Sequence, residues 1–236
     1  MKPILMLCPG LICDAAVWMP QVQALSATFD CVVVDYGLLD SLADMARQVL
    51  ATAPTARFAL AGHSMGGRVA LEVMRLAPER VSHLALLDTG IHPLADREAG
   101  EKERAGRMAL VQLASDKGMR AMGRQWLAGM VHADVLGSSL FESVLDMLER
   151  SSPAQFAAQT QALLTRPDAA EVLPDITCPT LVLAGEQDAW SPPAQHAAMA
   201  DVLADAQLSI VAHCGHMSTL EQPEAVAQAM AQWLLR

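Results

Sequence analysis

Three side chains lying far apart in the chain, Ser64, Asp188 and His216, could together perform nucleophilic chemistry. A serine hydroxyl is a weak nucleophile until a base takes its proton, and an imidazole serves best when a carboxylate fixes its tautomer and stabilises its protonated form. Ser64 sits in Ala61-Gly62-His63-Ser64-Met65-Gly66-Gly67, with glycine two positions away on either side. That pattern suits a sharp strand-to-helix turn, in which a strained serine is lifted above a sheet and neighbouring chain passes close by. The first amides of the helix point to the same place, which makes the Met65 N–H a candidate oxyanion donor. His216 follows an apolar run in Ala212-His213-Cys214-Gly215-His216-Met217, where Gly215 would permit a turn, and Asp188 ends Gly185-Glu186-Gln187-Asp188. Asp88, at the end of Leu84 to Leu87, competes with Asp188 for the place of the acid, or else caps a loop.

These residues need a sheet to hold them. Six apolar runs of strand length, Ile4 to Cys8, Cys31 to Asp35, Phe58 to Gly62, Leu84 to Leu87, Thr180 to Ala184 and Leu208 to Ala212, alternate with helical patterns. Such alternation predicts an α/β fold with a mostly parallel sheet covered on both faces. Helices are expected near Trp18 to Ala27, Leu42 to Ala53, Met65 to Leu76, Pro193 to Leu203 and Pro223 to Leu235. Ser64, Asp188 and His216 each follow a strand, so all three belong to loops at one edge. The interval from Thr89 to Cys178 carries helical patterns and no convincing strand. It predicts a single domain over residues 1–236 with a helical cap inserted at approximately 89–170. Within the cap, Met119, Met122, Trp126 and Met130 recur at spacings of three and four, on one helix face. That face either packs against the sheet domain or walls a substrate pocket. Asp96 to Arg124 holds seven Lys or Arg against five Asp or Glu, and Lys117, Arg120 and Arg124 fall together as either a solvated face or a docking point for a substrate carboxylate.

The composition removes other classes of function. Apolar residues make up 53% and charged residues 18%, a balance for a thick core rather than disorder. A formal charge of −10 argues against nucleic acid and anionic membranes as partners, since both select clustered Lys and Arg. The five cysteines are odd in number, scattered and mostly in apolar runs, which fits free thiols in a reducing cytoplasm. The run from Met1 to Cys8 is too brief for a signal-peptide core and reads as a strand. His213 and His216 have a spacing found in metal pairs but no accompanying ligands, so no metal is expected.

Taken together, Pro9-Gly10-Leu11, the Gly62 to Gly67 turn, Gly185-Glu186-Gln187-Asp188, and Gly215-His216 with Glu221-Gln222-Pro223 resemble the α/β-hydrolase superfamily over essentially the whole chain. The resemblance implies that the Leu11 backbone amide is the second oxyanion donor beside Met65, and that the sheet is shortened to about six strands. It implies a serine hydrolase acting without metal or cofactor on a small-molecule carboxylic ester or lactone, similar to bacterial carboxylesterases and enol-lactone hydrolases. Ser64 followed by Arg68 also resembles hydrolases of carbon–carbon bonds and a menaquinone-pathway lyase with the same triad. A ligand-binding protein that kept the fold without turnover is a reading of a different class.

Overall fold

The computed structural model describes residues 2–236; Met1, the first residue of the N-terminal apolar run, lies outside the described residues. Strands β1 (Ile4–Cys8), β2 (Asp30–Val33), β3 (Phe58–His63), β4 (Val81–Leu87), β5 (Thr180–Gly185) and β6 (Ala206–Val211) form one sheet in the order β2-β1-β3-β4-β5-β6. Every neighbouring pair is parallel. All residues of β1, β3 and β5 are buried, which is why these strands read as unbroken apolar runs. The edge strands β2 and β6 are partly exposed and less uniform. β4 starts three residues before its apolar run because Val81 already pairs with Phe58, although Ser82 and His83 interrupt the pattern.

Handedness places the helices. The chain moves from β1 outward to β2 through α1 (Met19–Leu25), then back across β1 to β3 through α2 (Leu42–Thr52). Right-handed crossovers in opposite directions lie on opposite faces. Accordingly α1 packs with the C-terminal helix, Pro223–Trp233, on one face, while α2 packs with α3 (Met65–Leu76) on the other. The reversal of direction opens a crevice outside the carboxyl ends of β1 and β3, the place where open α/β sheets bind ligands.

Between β4 and β5 the chain forms α4 (Arg97–Lys117), α5 (Met119–Leu127), α6 (Ser139–Glu149) and α7 (Pro153–Leu164), with no strand. Gly118, at φ 85°, separates α4 from α5. Ser138 and Ser152 cap α6 and α7 by accepting from the Phe141 and Gln155 amides, and Pro153 occupies the first turn of α7. α5 packs on α4 and α6, and α4 reaches back to α7. Past the cap come α8 (Pro193–Val202), the short α9 (Ser218–Glu221) and α10 (Pro223–Trp233). Among the described residues no helix is long and apolar enough to cross a membrane.

Candidate active site

Five loops at the carboxyl edge of the sheet converge on Ser64. The serine ends β3 and begins α3 with φ 55° and ψ −117°, a conformation disfavoured for any residue with a Cβ. Close packing holds it there. A Cβ on Gly62 would collide with the Gly66 carbonyl, and one on Gly66 with the Cys8 carbonyl, so α3 starts pressed against the end of β1. Ser64 N–H also donates to the Leu87 carbonyl at 2.8 Å, tying the turn to β4.

The Ser64 hydroxyl lies 2.8 Å from His216 Nε2, and His216 Nδ1 lies 2.8 Å from Asp188 Oδ2. With the proton on Nδ1, the imidazole donates to the carboxylate and accepts from the serine. Asp188 Oδ1 accepts the Trp190 and Ser191 amides at 2.8 and 2.9 Å, which fixes the carboxylate before the histidine arrives. Burial on its own would raise Asp188, yet the hydrogen bond and charge of His216 and these two amides hold it below the ordinary range. Burial likewise works to lower His216, and the bond to Asp188 and its charge, aided by Asp88 and Glu221, outweigh it and raise the imidazole. An imidazole so placed can accept a proton from a hydroxyl at the Ser64 position.

The loop of His216 is held mainly through backbone. Glu221 accepts from the Gly215, Met217 and His132 amides at 3.1, 2.9 and 2.7 Å, and His216 N–H donates to the Met130 carbonyl at 2.6 Å. The expected turn at Gly215 falls instead at His213, with φ 52°. Glycine is needed at 215 because a Cβ there would stand 2.5 Å from the Met130 carbonyl and 2.6 Å from the His132 nitrogen. Asp88 lies buried beneath the site and does not touch the His216 ring. It accepts from the Gly185 amide at 3.0 Å and from the amide and hydroxyl of Ser218, so it clasps the loops that carry Asp188 and His216. Burial, with Asp188 nearby, pushes Asp88 up to about 7 against the opposing His216 charge. His63 is pulled down to about 4 by burial and by His216, and its Nε2 lies 2.8 Å from the His216 carbonyl. A neutral His63 is a brace rather than a second base.

Leu11 and Met65 line the same cavity as Ser64, and among the described residues their amides have no hydrogen-bond partner in the chain. A missed residue stabilises the first of them. Gln159 of α7, buried together with Phe156, Thr160 and Leu163, accepts the neighbouring Ile12 amide at 2.7 Å and holds Ile12 at φ 51°. The unusual signal was a glutamine in a buried helix stripe. Burial pushes the Cys8 and Cys13 thiols up to about 12, which leaves them unreactive beside this loop.

Above Ser64 lies a cavity of about 810 Å³ walled by the sheet edge and the cap. Of the expected methionine face, only Trp126 lines it. Met119, Met122 and Met130 are buried at 5, 0 and 4% exposure but turn away from the cavity. Their stripe is needed to bury α5 against its neighbours, and Met130 meets the site through its carbonyl alone. For the basic face, the structure favours the outer face over the docking point. Arg120 pairs with Glu142, Asp146 and Glu149 of α6, Arg124 pairs with Glu142, and neither they nor Lys117 reach the cavity. The cations that line it are Arg68, Lys102, Arg107 and Arg166.

Known proteins share this arrangement of elements. A pimeloyl-[acyl-carrier protein] methyl ester esterase of Nitrosomonas europaea is 30% identical over 94% of this chain and 92% of its own. The structure of a thermophilic esterase from Thermogutta terrifontis superposes with a TM-score of 0.86 at 26% identity, covering 100% of this chain and 90% of that one. An enol-lactonase from Burkholderia xenovorans LB400 superposes with a TM-score of 0.87 at 22% identity, over 100% of this chain and 92% of that one, a likeness of fold. The family model described as alpha/beta hydrolase matches residues 5–229, so the chain belongs to the alpha/beta hydrolase family.

Proposed function

We propose that the protein is a serine hydrolase that cleaves a carboxylic ester or lactone of a small molecule through an acyl-enzyme on Ser64. The observation that carries this reading is the unbroken hydrogen-bonded series Ser64–His216–Asp188, 2.8 Å at each step, at a cavity that Leu11 and Met65 also line. Ser64 Oγ attacks the substrate carbonyl while His216 Nε2 takes its proton. The negative charge on the carbonyl oxygen develops against the Leu11 and Met65 N–H groups, whose lack of a partner in the chain leaves them free to receive it. Asp188 keeps the imidazole oriented and stabilises its protonated form. His216 then gives the proton to the departing alkoxide, and the alcohol leaves. In the second half a water loses its proton to His216 and adds to the acyl-enzyme. Collapse returns the proton to Ser64 and releases the acid, so one ester and one water yield one acid and one alcohol.

The substrate class draws support from the relatives: one carries the name methyl ester esterase, and another is an enol-lactonase. Both names describe acyl transfer to water. The largely apolar cavity suits a small organic substrate, and the buried free thiols fit a reducing cytoplasm. The test is hydrolysis of p-nitrophenyl acetate and butyrate by wild type and Ser64→Ala, with fluorophosphonate labelling of both. Turnover should fall by about 10⁶ in the variant and labelling should vanish. A folded wild type with neither activity nor labelling overturns the reading in favour of a binding protein. Labelling without ester turnover transfers the same triad to carbon–carbon cleavage or a lyase reaction.

A further inference from the structure

The cavity above Ser64 holds charge that acyl transfer does not use. Arg68 stands four residues after Ser64 on α3, about 6 Å farther along the helix axis. Its Nη1 donates to the His92 carbonyl at 2.9 Å. The carboxylate on this wall, Glu103, is already engaged: Arg166 grips it with two nitrogens at 2.8 Å each, and Arg107 Nε adds a third contact at 2.8 Å. No carboxylate pairs with Arg68 among the described residues. Burial, together with the Arg166 and Arg107 guanidiniums, pulls Arg68 down to about 9. Thus three guanidiniums, from α3, α4 and the segment after α7, line one wall whose single glutamate is engaged by two of them, with the exposed Lys102 beside them. Four of the chain's sixteen Lys and Arg line this one cavity, in a protein whose formal charge is −10.

A guanidinium crowded by like charge and half withdrawn from water is stabilised by an arriving anion. Its planar fork of N–H donors matches a carboxylate, which can take two parallel hydrogen bonds. Leu110, Leu163 and Trp126 line the same cavity, which suits an apolar chain linking such a carboxylate to the reacting carbonyl. We infer that Arg68, backed by the Glu103-braced Arg107 and Arg166 and by Lys102, binds a substrate carboxylate. The preferred substrates are then esters with a carboxylate several bonds from the carbonyl that Ser64 attacks, such as half-esters of medium-chain dicarboxylic acids. This inference rests on the acyl-transfer reading of Ser64 and names its substrate class.

Two matched pairs test it: monomethyl adipate against methyl hexanoate, with the charge on the acyl side, and 4-acetoxybenzoate against 4-acetoxytoluene, with the charge on the leaving side. Wild type should favour the acid in at least one pair by about tenfold or more in kcat/KM, the effect of one charge-assisted hydrogen-bonded pair. The preference should reside in KM, shrink as KCl rises from roughly 20 to 500 mM, and fall toward unity in Arg68→Gln. Lys102→Ala, on an exposed helix position, should lower it in a well-folded protein, whereas Arg120→Gln on the outer cap face should keep it. Equal turnover of both members of both pairs overturns the carboxylate site and leaves the acyl-transfer reading standing. So does a preference that survives both Arg68→Gln and Lys102→Ala. If no ester is turned over, calorimetric titration of Ser64→Ala with adipate decides: binding that disappears in Ser64→Ala/Arg68→Gln keeps the site while the acyl-transfer reading fails, and no binding overturns the site too.

Discussion

The carboxyl edge of the sheet and the cap solve the problem of holding polar side chains in opposite ways. At the edge, backbone does the holding. Asp188 takes two amides besides its histidine, Glu221 takes three, and Asp88 clasps two loops from below, with Asp188 and Asp88 buried and Glu221 partly so. In the cap, side chains hold one another: Arg120 and Arg124 meet the acids of α6 on an outer surface, and Glu103 ties Arg107 to Arg166 at the cavity wall. Backbone amides cannot be substituted away and hydrogen bonds to buried charges are strong, so the edge supplies a fixed electrostatic frame. Surface ion pairs are screened and exchangeable, so the cap can change its charge pattern without unfolding. On the proposed function, the chemistry then belongs to the edge, and selection among substrates to the cap and the wall it shares with α3.

If that division holds, edge substitutions should be felt in kcat and cap substitutions in KM or stability. The largest effect expected is for His216→Ala, which should lower kcat for p-nitrophenyl butyrate by about 10⁶ while the protein remains folded by circular dichroism. Next is Asp188→Asn, with a loss of about 10⁴ in kcat, since the ring keeps its place but loses its oriented tautomer. The pH profile adds a sign. His216 must be neutral to act as base, and Asp188 raises its pKa, so activity is lost as pH falls through a value above the ordinary 6.5. Removing the Asp188 charge leaves burial to dominate, and the acid limb of kcat/KM should move to lower pH. A wild-type limb at or below 6.5, or one that Asp188→Asn does not move, would uncouple the histidine from this carboxylate.

How much of this could be read from sequence follows the same division. The interior strands and α3, whose expected bounds the structure reproduces at Met65–Leu76, were legible because complete burial demands apolar runs and a strained serine demands glycines around it. Edge strands were less so, since β2 and β6 expose part of their surface and their patterns blur. The cap helices were visible as helices, but not which face looked where. Met119, Met122 and Trp126 share a stripe, and periodicity cannot say that only Trp126 reaches the cavity. Nor could charge spacing tell Arg120, neutralised by α6 residues more than twenty positions away, from Lys102 and Arg107, which face the cavity. Local pattern records which face is buried, and only tertiary contacts record against what.

A substitution inside the cap should separate stability from chemistry. Met122 is fully buried in α5, beside Gly123, whose surroundings are Leu145 and Leu148 of α6. Met122→Ala leaves a void there and should cost about 2–5 kcal/mol in urea denaturation. The folded fraction should still label with fluorophosphonate at close to the wild-type rate, because no member of the hydrogen-bonded series touches this position. A large drop in labelling with little loss of stability would break the division.

The smallest effect belongs to the seam between the two regions, where Trp190 joins them. Its amide is held by Asp188, its indole Nε1 donates to the Gly129 carbonyl of the cap at 2.9 Å, and its ring stands edge-on to Trp126 at 6.0 Å and tilted beside His216 at 6.1 Å. Trp190→Phe keeps an aromatic surface and the amide contact to Asp188 while deleting the indole donor. At a site 42% exposed, water can replace that bond, so its loss should cost about 0.5–1 kcal/mol, or a two- to fivefold rise in KM with a smaller change in kcat. Steady-state kinetics on the half-ester and neutral pair decide what the seam transmits. A rise in KM for both esters means that the tie positions the cap, whereas a fall in kcat as large as the rise in KM means that the cap is mechanically linked to Asp188 and the edge is not an independent frame.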